Sequence, residues 1–364
     1  MGLKDLVPCG HGAAESPKGT AEKDQPATPS TIPAIVVENF GPPEVLKLAE
    51  KPLPELQSGE VLVDIKASGI NPSDTYIRLG PEGPYAAMPG ILPKLPYTPG
   101  KDGAGVIEAI GADVTGFNVR DRVYTTNSVT GTAAAKAICK AANVYHLPEE
   151  ATFAQGACIG IPCTTAYYAL KTRGQVRAAE KVLIHGASGA VGLAAIQFAK
   201  KMVGPEGLVV GTAGTEEGEK ATKDAGIDVV VNHRKENYVN ELKEAAPGGY
   251  DLILEMFAHI NLAADLGLAA RRGRICIIGS RSQEIAVNPR HFMASEVDVR
   301  GVFLGKITPE ENQEAHAAMR SFLSDGSLKP VVALELKLAE AALAHKEVME
   351  PSAGGASGNI VLVP

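Results

Sequence analysis

The chain has 364 residues, 45% of them hydrophobic and 21% charged, with a formal net charge of −7. That length supports two domains with cores of their own, and the acidic balance argues against a nucleic-acid footprint or a membrane-surface stripe. No apolar run approaches bilayer-spanning length, and five scattered cysteines with no Cys-x-x-Cys pair suit a reducing cytosol rather than a disulfide framework.

Residues 1–32 read as a disordered tail, because the stretch from Gly10 to Pro33 is rich in Gly, Ala, Ser, Thr, Pro and Lys and has no apolar period. It lacks the apolar core of a secretory signal, and Asp5, Glu15, Glu22 and Asp24 do not suit an acid-poor transit peptide. Cys9 and His11 lie close together, but a flexible tail explains them better than a metal pair. From Ile32 to Pro148 the chain is strand-like and turn-rich. Strands are expected at Pro33–Glu38, Glu60–Ala67, Ala104–Ile110 and Arg122–Thr126, punctuated by Pro42-Pro43, Asn71-Pro72, Pro99-Gly100 and Gly116. This pattern predicts a compact β-barrel-like domain. Ala151 to Lys171 switches to helical spacing and bridges to the second domain.

The second domain is organised around residues 181–204. Val182 to Ile184 reads as a buried parallel strand, Ala187-x-Gly189-x-x-Gly192 as a small-residue turn, and Leu193 to Val203 as a helix. Strand, turn and helix in that order are the context a dinucleotide fingerprint needs. A pyrophosphate must approach the backbone at Gly189, Gly192 lets the helix pack close, and the free N–H groups at the helix start face phosphate charge. Strands and helices then alternate: strands at 208–213, 228–232, 251–255, 274–279 and 297–304, with helices at 216–225 and 235–246 between them. Alternation of this kind means an α/β doubly wound parallel sheet. Two further helices, 309–323 and 338–349, precede a closing strand at 358–363, which returns to the first domain.

The residue ending the second strand of such a sheet separates a ribose 2′-hydroxyl from a 2′-phosphate. A site for the unphosphorylated cofactor wants a carboxylate there. Here the tip is Gly211-Thr212-Ala213-Gly214-Thr215, with Lys220, His233 and Arg234 as nearby positive groups, so NADPH is favoured over NADH. Glu216 and Glu217 suit the start of the following helix, where carboxylates complement the dipole. Asn261 and the Gly279-Ser280-Arg281 loop follow parallel strands and belong at the ligand crevice.

Several stretches together resemble a known family. They are Phe40-Gly-Pro-Pro-Glu-Val-Leu-Lys-Leu, Gly69-Ile-Asn-Pro-Ser-Asp-Thr-Tyr-Ile-Arg, Leu95-Pro-Tyr-Thr-Pro-Gly, Ile159-Gly-Ile-Pro, His185-Gly-Ala-Ser-Gly-Ala-Val-Gly, Gly211-Thr-Ala-Gly-Thr-Glu-Glu-Gly, Val231-Asn-His-Arg and Ile278-Gly-Ser-Arg. From about residue 33 onward the chain resembles the zeta-crystallin group of NADPH:quinone oxidoreductases, zinc-free members of the medium-chain dehydrogenase/reductase superfamily. The resemblance implies a GroES-like catalytic domain over 33–150, a Rossmann NADPH-binding domain over 151–300 and a return to the catalytic domain over 301–364. It implies NADPH contacts at Tyr76, Ser188, Gly189, Ala190, Val191, Gly214, Lys220, His233, Asn261, Ile278, Gly279, Ser280, Arg281, Val302, Phe303 and Leu304. It places Asn71 and Tyr76 beside the nicotinamide and the substrate; without it, Asn71 is a plain turn residue. It also implies a homodimer or homotetramer. The chain departs from the family in Ala190, in a longer 79–93 loop, in Gly131 to Lys136 and in Cys163, which put the substrate more in question than the cofactor.

A zinc alcohol dehydrogenase is not indicated. Zinc needs thiolate or imidazole donors with an open fourth position. The slots that would supply them hold Asn71-Pro72 and Gly100-Lys101-Asp102, and the four-cysteine lobe is missing. A site without a Lewis acid suits quinone reduction, which forms no alkoxide. The alternatives are NADPH-dependent reduction of an activated alkene (enal, enone or enoyl thioester), or a non-enzymatic NADPH-binding crystallin or RNA-binding role. Alkene reduction needs a proton donor, for which Tyr85 is a candidate, although the 79–93 loop predicts a solvent-facing tyrosine there. RNA binding is disfavoured by the acidic composition. The expected protein is cytoplasmic, acts on a small-molecule quinone or related electrophile, and has no membrane partner.

Overall fold

The structure, a computed structural model, describes residues 31–352 and 357–364, so the reading of the amino-terminal tail lies outside it over 1–30, including the Cys9 and His11 pair, while Thr31 and Ile32, read as tail, instead open the first strand, where Ile32 is buried. Two sheets carry the molecule. β1 (Thr31–Val36) and β2 (Lys47–Pro52) form an antiparallel pair beside the first. At the centre of that first sheet lies the long β3 (Glu60–Ile70), antiparallel to β4 (Asp102–Ile110). β5 (Arg122–Thr125) and β7 (Val144–His146) extend it beyond β4, and β6 (Lys136–Lys140) also pairs with β3. Val61, Val63 and Ile65 alternate along β3 and bury one face against Ile107, Val123, Ala137 and Cys139. The Asn71-Pro72 turn opens into a short helix, α1 (Pro72–Leu79), because proline at the first helical position gives up no bond the helix would have made.

The expected helical bridge is present, but its pitch changes. α2 (Phe153–Gly156) and α3 (Thr164–Tyr167) are interleaved with π-helical stretches at Ile159–Cys163 and Tyr168–Arg173. Pro162 sits in the first of these, where its missing N–H loosens the ladder.

The second sheet is built from β8 (Lys181–Ile184), α4 (Ala190–Val203), β9 (Leu208–Ala213), α5 (Glu216–Asp224), β10 (Val229–Asn232), α6 (Tyr238–Ala245), β11 (Tyr250–Glu255), α7 (Ala258–Leu268), β12 (Ala269–Ile277), α8 (Pro289–Ser295) and β13 (Asp298–Gly301). Its strands are all parallel, in the order β10-β9-β8-β11-β12-β13. The strand order reverses direction between β8 and β11, and ligands of doubly wound sheets bind at the carboxyl end of that switch point. The strand expected over 297–304 stops at Gly301, and Leu304 begins a 3₁₀ turn.

α9 (Pro309–Ser324), β14 (Val332–Lys337), α10 (Ala341–Glu347) and β15 (Asn359–Val363) complete the chain. β15 lies between β14 and β3, parallel to one and antiparallel to the other, so the closing strand returns to the first sheet. The largest core cluster is continuous across both halves. It joins Ala67, Ala104 and Tyr124 of the first sheet to Ile184, Leu193 and Phe198 of the second, with Met319 and Leu323 of α9. His316 of α9 seals this junction. Its Nδ1 lies 2.9 Å from the Tyr124 hydroxyl, and its ring stacks on Tyr145 with centroids 3.8 Å apart.

Candidate active site

The turn from β8 to α4 has the build of an anion cradle. Gly189 caps α4, no side chain caps its amides, and the first-turn N–H groups are left for a ligand. A Cβ on Gly192 would lie 2.5 Å from the Gly186 carbonyl oxygen, so only glycine lets the helix seat this close to the strand. Gly189 is different. A Cβ there would meet nothing nearer than 3.4 Å, so the protein's own packing does not demand glycine, and the demand comes from the space an incoming pyrophosphate needs. Ser188 is buried, while Ala190 and Val191 are half-buried in the first turn.

At the tip of β9 the structure gathers Gly214, His233 and Arg234. A Cβ on Gly214 would stand 2.6 Å from His233 Nε2 and 3.1 Å from Arg234 Nε. Thr215 caps α5 by accepting from the Gly218 N–H at 3.1 Å, and Glu216 and Glu217 are exposed on its first turn. Lys220 lies one turn along, in an exposed pair with Asp224 at 2.6 Å. No carboxylate ends β9, and an imidazole and a guanidinium stand beside its tip. This donor set suits a phosphate better than a ribose hydroxyl.

Across the switch point, Ile278 donates its N–H to the Glu255 carbonyl at 2.8 Å and Val302 donates to Ile277 at 2.9 Å. Arg281 reaches over the Phe257 ring at 5.4 Å, donates its N–H to His259 Nδ1 at 3.1 Å and its guanidinium to the Met349 carbonyl at 3.2 Å. Ser280 donates to the Ser282 carbonyl at 2.9 Å. Gly279 accepts from the Ala258 N–H at 3.0 Å, tying the loop to the start of α7. Phe303 is exposed and Leu304 half-buried.

Beneath these loops lies a buried polar cluster that the sequence did not announce. His185 Nε2 is 2.9 Å from Asp265 Oδ1 and 3.9 Å from Glu255 Oε2, and its Nδ1 is 3.4 Å from Thr212 Oγ1. Glu255 Oε1 accepts from the Phe257 N–H and, at 3.4 Å, from the Asn261 amide. Tyr238 donates to Asn261 Oδ1 at 3.4 Å, so this site residue is held from both sides. Burial raises Glu255 to about 8 and Asp265 to about 7, and it lowers His185, against the pull of Glu255. Glu255 Oε2 and Asp265 Oδ2 have no hydrogen-bond partner, and burial favours the protonated form of the pair.

The first sheet supplies the other side. Asn71 Nδ2 donates to Asp102 Oδ2 at 2.9 Å, and the same oxygen accepts from the Ile161 N–H at 2.8 Å. Asn71 N donates to Asp74 Oδ2 at 2.9 Å. Asn71, Asp74 and Asp102 are all buried. A Cβ on Gly160 would sit 2.1 Å from Asp102 Oδ1, so the bridging helix closes directly onto the carboxylate. Burial raises Asp102 to about 8 and Asp74 to about 6; the bonds from Ile161 and Asn71 work against it at Asp102. The sequence reading noted Asp102 only as part of a vacant zinc slot. Its hold on Asn71 had one signal, a carboxylate at the head of the strand paired with β3.

Tyr76 is half-buried, and burial raises its pKa against the nearby Arg281 charge. Tyr85 packs edge-on against it, centroids 5.4 Å apart. The solvent-facing loop tyrosine expected at 85 is therefore half-buried on Tyr76, because the long loop folds back over α1.

Residues 57–192 match the alcohol dehydrogenase GroES-like domain, and residues 190–321 match the zinc-binding dehydrogenase domain. The human quinone oxidoreductase is 44% identical over 333 residues, covering 91% of this chain and 97% of that protein. The chain belongs to the quinone oxidoreductase family. Quinone oxidoreductases of this kind fall within the medium-chain dehydrogenase/reductase superfamily, as the two matched domains require. Among solved structures, the Escherichia coli quinone oxidoreductase complexed with NADPH superposes with a TM-score of 0.78 at 29% identity, covering 92% of this chain and 99% of that one. An NAD-dependent alcohol dehydrogenase gives 0.81 at 27% identity, covering 91% and 99%. The fold alone therefore does not choose between quinone and alcohol chemistry, and the site must do so. In this chain the zinc slots carry Asn71 and Lys101-Asp102: the amide and the ammonium are poor zinc donors, and one oxygen of the Asp102 carboxylate is taken by the Asn71 amide and the Ile161 N–H.

Proposed function

We propose that the protein reduces quinones with NADPH and without zinc. The single observation that carries this is the Asn71–Asp102 pair, an amide and a carboxylate from the two vacant zinc slots bonded to each other, together with a dinucleotide cradle that has imidazole and guanidinium at the β9 tip. Bound NADPH would supply a hydride, and with one proton from solvent the quinone becomes a hydroquinone.

The chain's own residues bind, orient and exclude water. The α4 amides and Ser188 would hold the pyrophosphate. Gly214, His233 and Arg234, with Lys220 nearby, would hold the 2′-phosphate. Asn261, Ile278 to Arg281 and Val302 to Leu304 would line the path toward the nicotinamide. Asp102 fixes the Asn71 amide, and Tyr76, whose burial keeps its proton, flanks the reacting face. Alignment of this kind supplies much of the rate in a reaction that needs no strong acid.

The domain limits are 33–150, 151–300 and 301–364, and the pairing of β15 with β3 supports the return of the chain to the catalytic domain. The exposed outer edge of β13, with Ile260, Met293, Val299 and Phe303 exposed, supports a homo-oligomer. Among the described residues no helix is long and apolar enough to cross a membrane. Four buried thiols (Cys139, Cys158, Cys163 and Cys276) favour a reducing compartment such as the cytoplasm.

The test is NADPH oxidation followed by loss of reduced-nicotinamide absorbance, with an ortho-quinone as acceptor and NADH as the competing cofactor. Quinone-dependent oxidation with NADPH well ahead of NADH is expected; oxidation by neither cofactor overturns the reading. Tyr85 against Tyr76 favours one second reading, alkene reduction with Tyr85 as proton donor. Enone turnover that disappears in Tyr85→Phe would establish it.

A further inference from the structure

A cavity of about 640 Å³ opens in the catalytic half, between the end of β2, α1, the long loop after α1 and the turn at 127–131. That volume suits a small organic ligand. Its walls are largely proline and aliphatic, and its charges are uneven: Lys51, Lys94 and Lys101 against the single carboxylate of Asp74. Two of these four are committed. Lys51 Nζ donates to Thr98 Oγ1 at 2.8 Å and to the Thr130 carbonyl at 3.1 Å. Asp74 accepts from Asn71 N at 2.9 Å.

Lys94 is exposed, and Lys101 is half-buried in the field of Asp74 and Asp102 without a hydrogen bond to either. Tyr97 contributes to the wall, but its hydroxyl is buried away from the cavity. The cavity thus holds two ammonium groups, Lys94 and Lys101, that lack acceptors.

The cavity also adjoins the chemistry. Asp74 and Lys101 line it, and each is bonded to the Asn71–Asp102 pair: Asp74 through Asn71 N, Lys101 as the residue preceding Asp102 in the chain. Ile91 and Pro93 come from the end of the 79–93 loop, whose length sets the chain apart in the sequence reading, and Lys94 directly follows it.

We propose that this cavity is the acceptor site and that it selects acceptors bearing an anionic substituent, carboxylate or sulfonate, which Lys94 and Lys101 hold. The inference rests on the quinone reading above. An anion within a few ångströms of a partly exposed ammonium gains about tenfold in affinity, and salt screens that gain.

The experiment compares 1,2-naphthoquinone-4-sulfonate with 1,2-naphthoquinone under NADPH, at low and high salt. The expected wild-type ratio of kcat/KM, sulfonate over parent, is about ten, falling toward one in high salt. Lys101→Ala and Lys94→Ala lower the ratio, Lys101→Arg keeps it, and the Lys94→Glu, Lys101→Glu double variant inverts it. A wild-type ratio near one, or a ratio untouched by all of these changes, overturns the proposal. Calorimetric binding of naphthalene-2-sulfonate against naphthalene-2-methanol reads the cavity without turnover. Selective sulfonate binding with neither quinone reduced would show that the functional reading had failed while the anion pocket stood; equal weak binding would show that the pocket had failed.

Discussion

Asp102 beside α1 and Glu255 at the end of β11 are both fully buried, and burial raises each to about 8. Their surroundings differ. One Asp102 oxygen takes two donors, an amide from the site and a backbone N–H from the bridging helix, while the other faces Gly160. Glu255 spends one oxygen on Phe257 and Asn261 and turns the other toward Asp265 with no donor between. The first cluster is a staple, whose purpose is the position of Asn71. The second holds a proton beside a neutral histidine, and its purpose is the seating of the loops above it. Similar pKa values therefore conceal two kinds of construction, which substitution separates.

The largest expected effect is at the staple. Asp102→Leu leaves the Asn71 amide and the Ile161 N–H buried without an acceptor, which costs about 2–5 kcal/mol of stability and about 100-fold in kcat/KM. Asp102→Asn, which can still accept both bonds, should lose only about tenfold. Chemical denaturation and steady-state kinetics read the two; equal losses would mean that the carboxyl group itself, not the placement of Asn71, matters.

Next comes the pH dependence of stability. Asp102, Glu255 and Asp265 all titrate higher in the folded protein than unfolded, so the native state binds extra protons from about pH 4 to 8. Their contribution falls as pH rises through that window and is lost above about 8. His316, lowered by burial to about 4, acts oppositely below about 6.5. Melting between pH 7 and 9 should therefore fall in the wild type, and Glu255→Gln should flatten the decline. No change of slope would dissolve the contrast between staple and proton store.

Smaller effects sharpen it at the edges. Gly214→Ala pushes a Cβ toward His233 and should raise KM for NADPH about 3- to 10-fold while sparing NADH. Tyr85→Ala removes an edge-on aromatic pair and should cost about 1 kcal/mol in thermal unfolding, with Tyr85→Phe nearly silent in quinone turnover.

What the sequence disclosed follows the physics of local signals. The Ala187-x-Gly189-x-x-Gly192 turn and the helix behind it were legible because strand, glycines and apolar period are contiguous. β14, Val-Ala-Leu-Glu-Leu-Lys, went unread although it alternates, because it lies largely exposed between two helices. α1 and α8 are short helices that begin at Pro72 and Pro289, and a proline there reads first as a turn. α7 carries little signal in the sequence because Ala258 to Leu268 is apolar nearly all round, with little facial contrast. At the site, Gly214, His233 and Arg234 were legible from strand position alone. The clamp of Asp102 on Asn71 joins residues 31 apart, and the His185–Asp265 contact joins residues 80 apart, so no local pattern could bring them together.

The placement of β15 sets an order of events during synthesis. β3 leaves the ribosome early, and β6 covers the first half of the edge away from β4, yet the second half of that edge is filled only by a strand made after every element of the parallel sheet. The dinucleotide-binding sheet is contiguous in sequence and can close as it emerges. The first sheet must wait with an open edge until Ile360, Val361 and Leu362 arrive. In that interval the nascent chain presents a hydrophobic strand edge that is vulnerable to association with its neighbours.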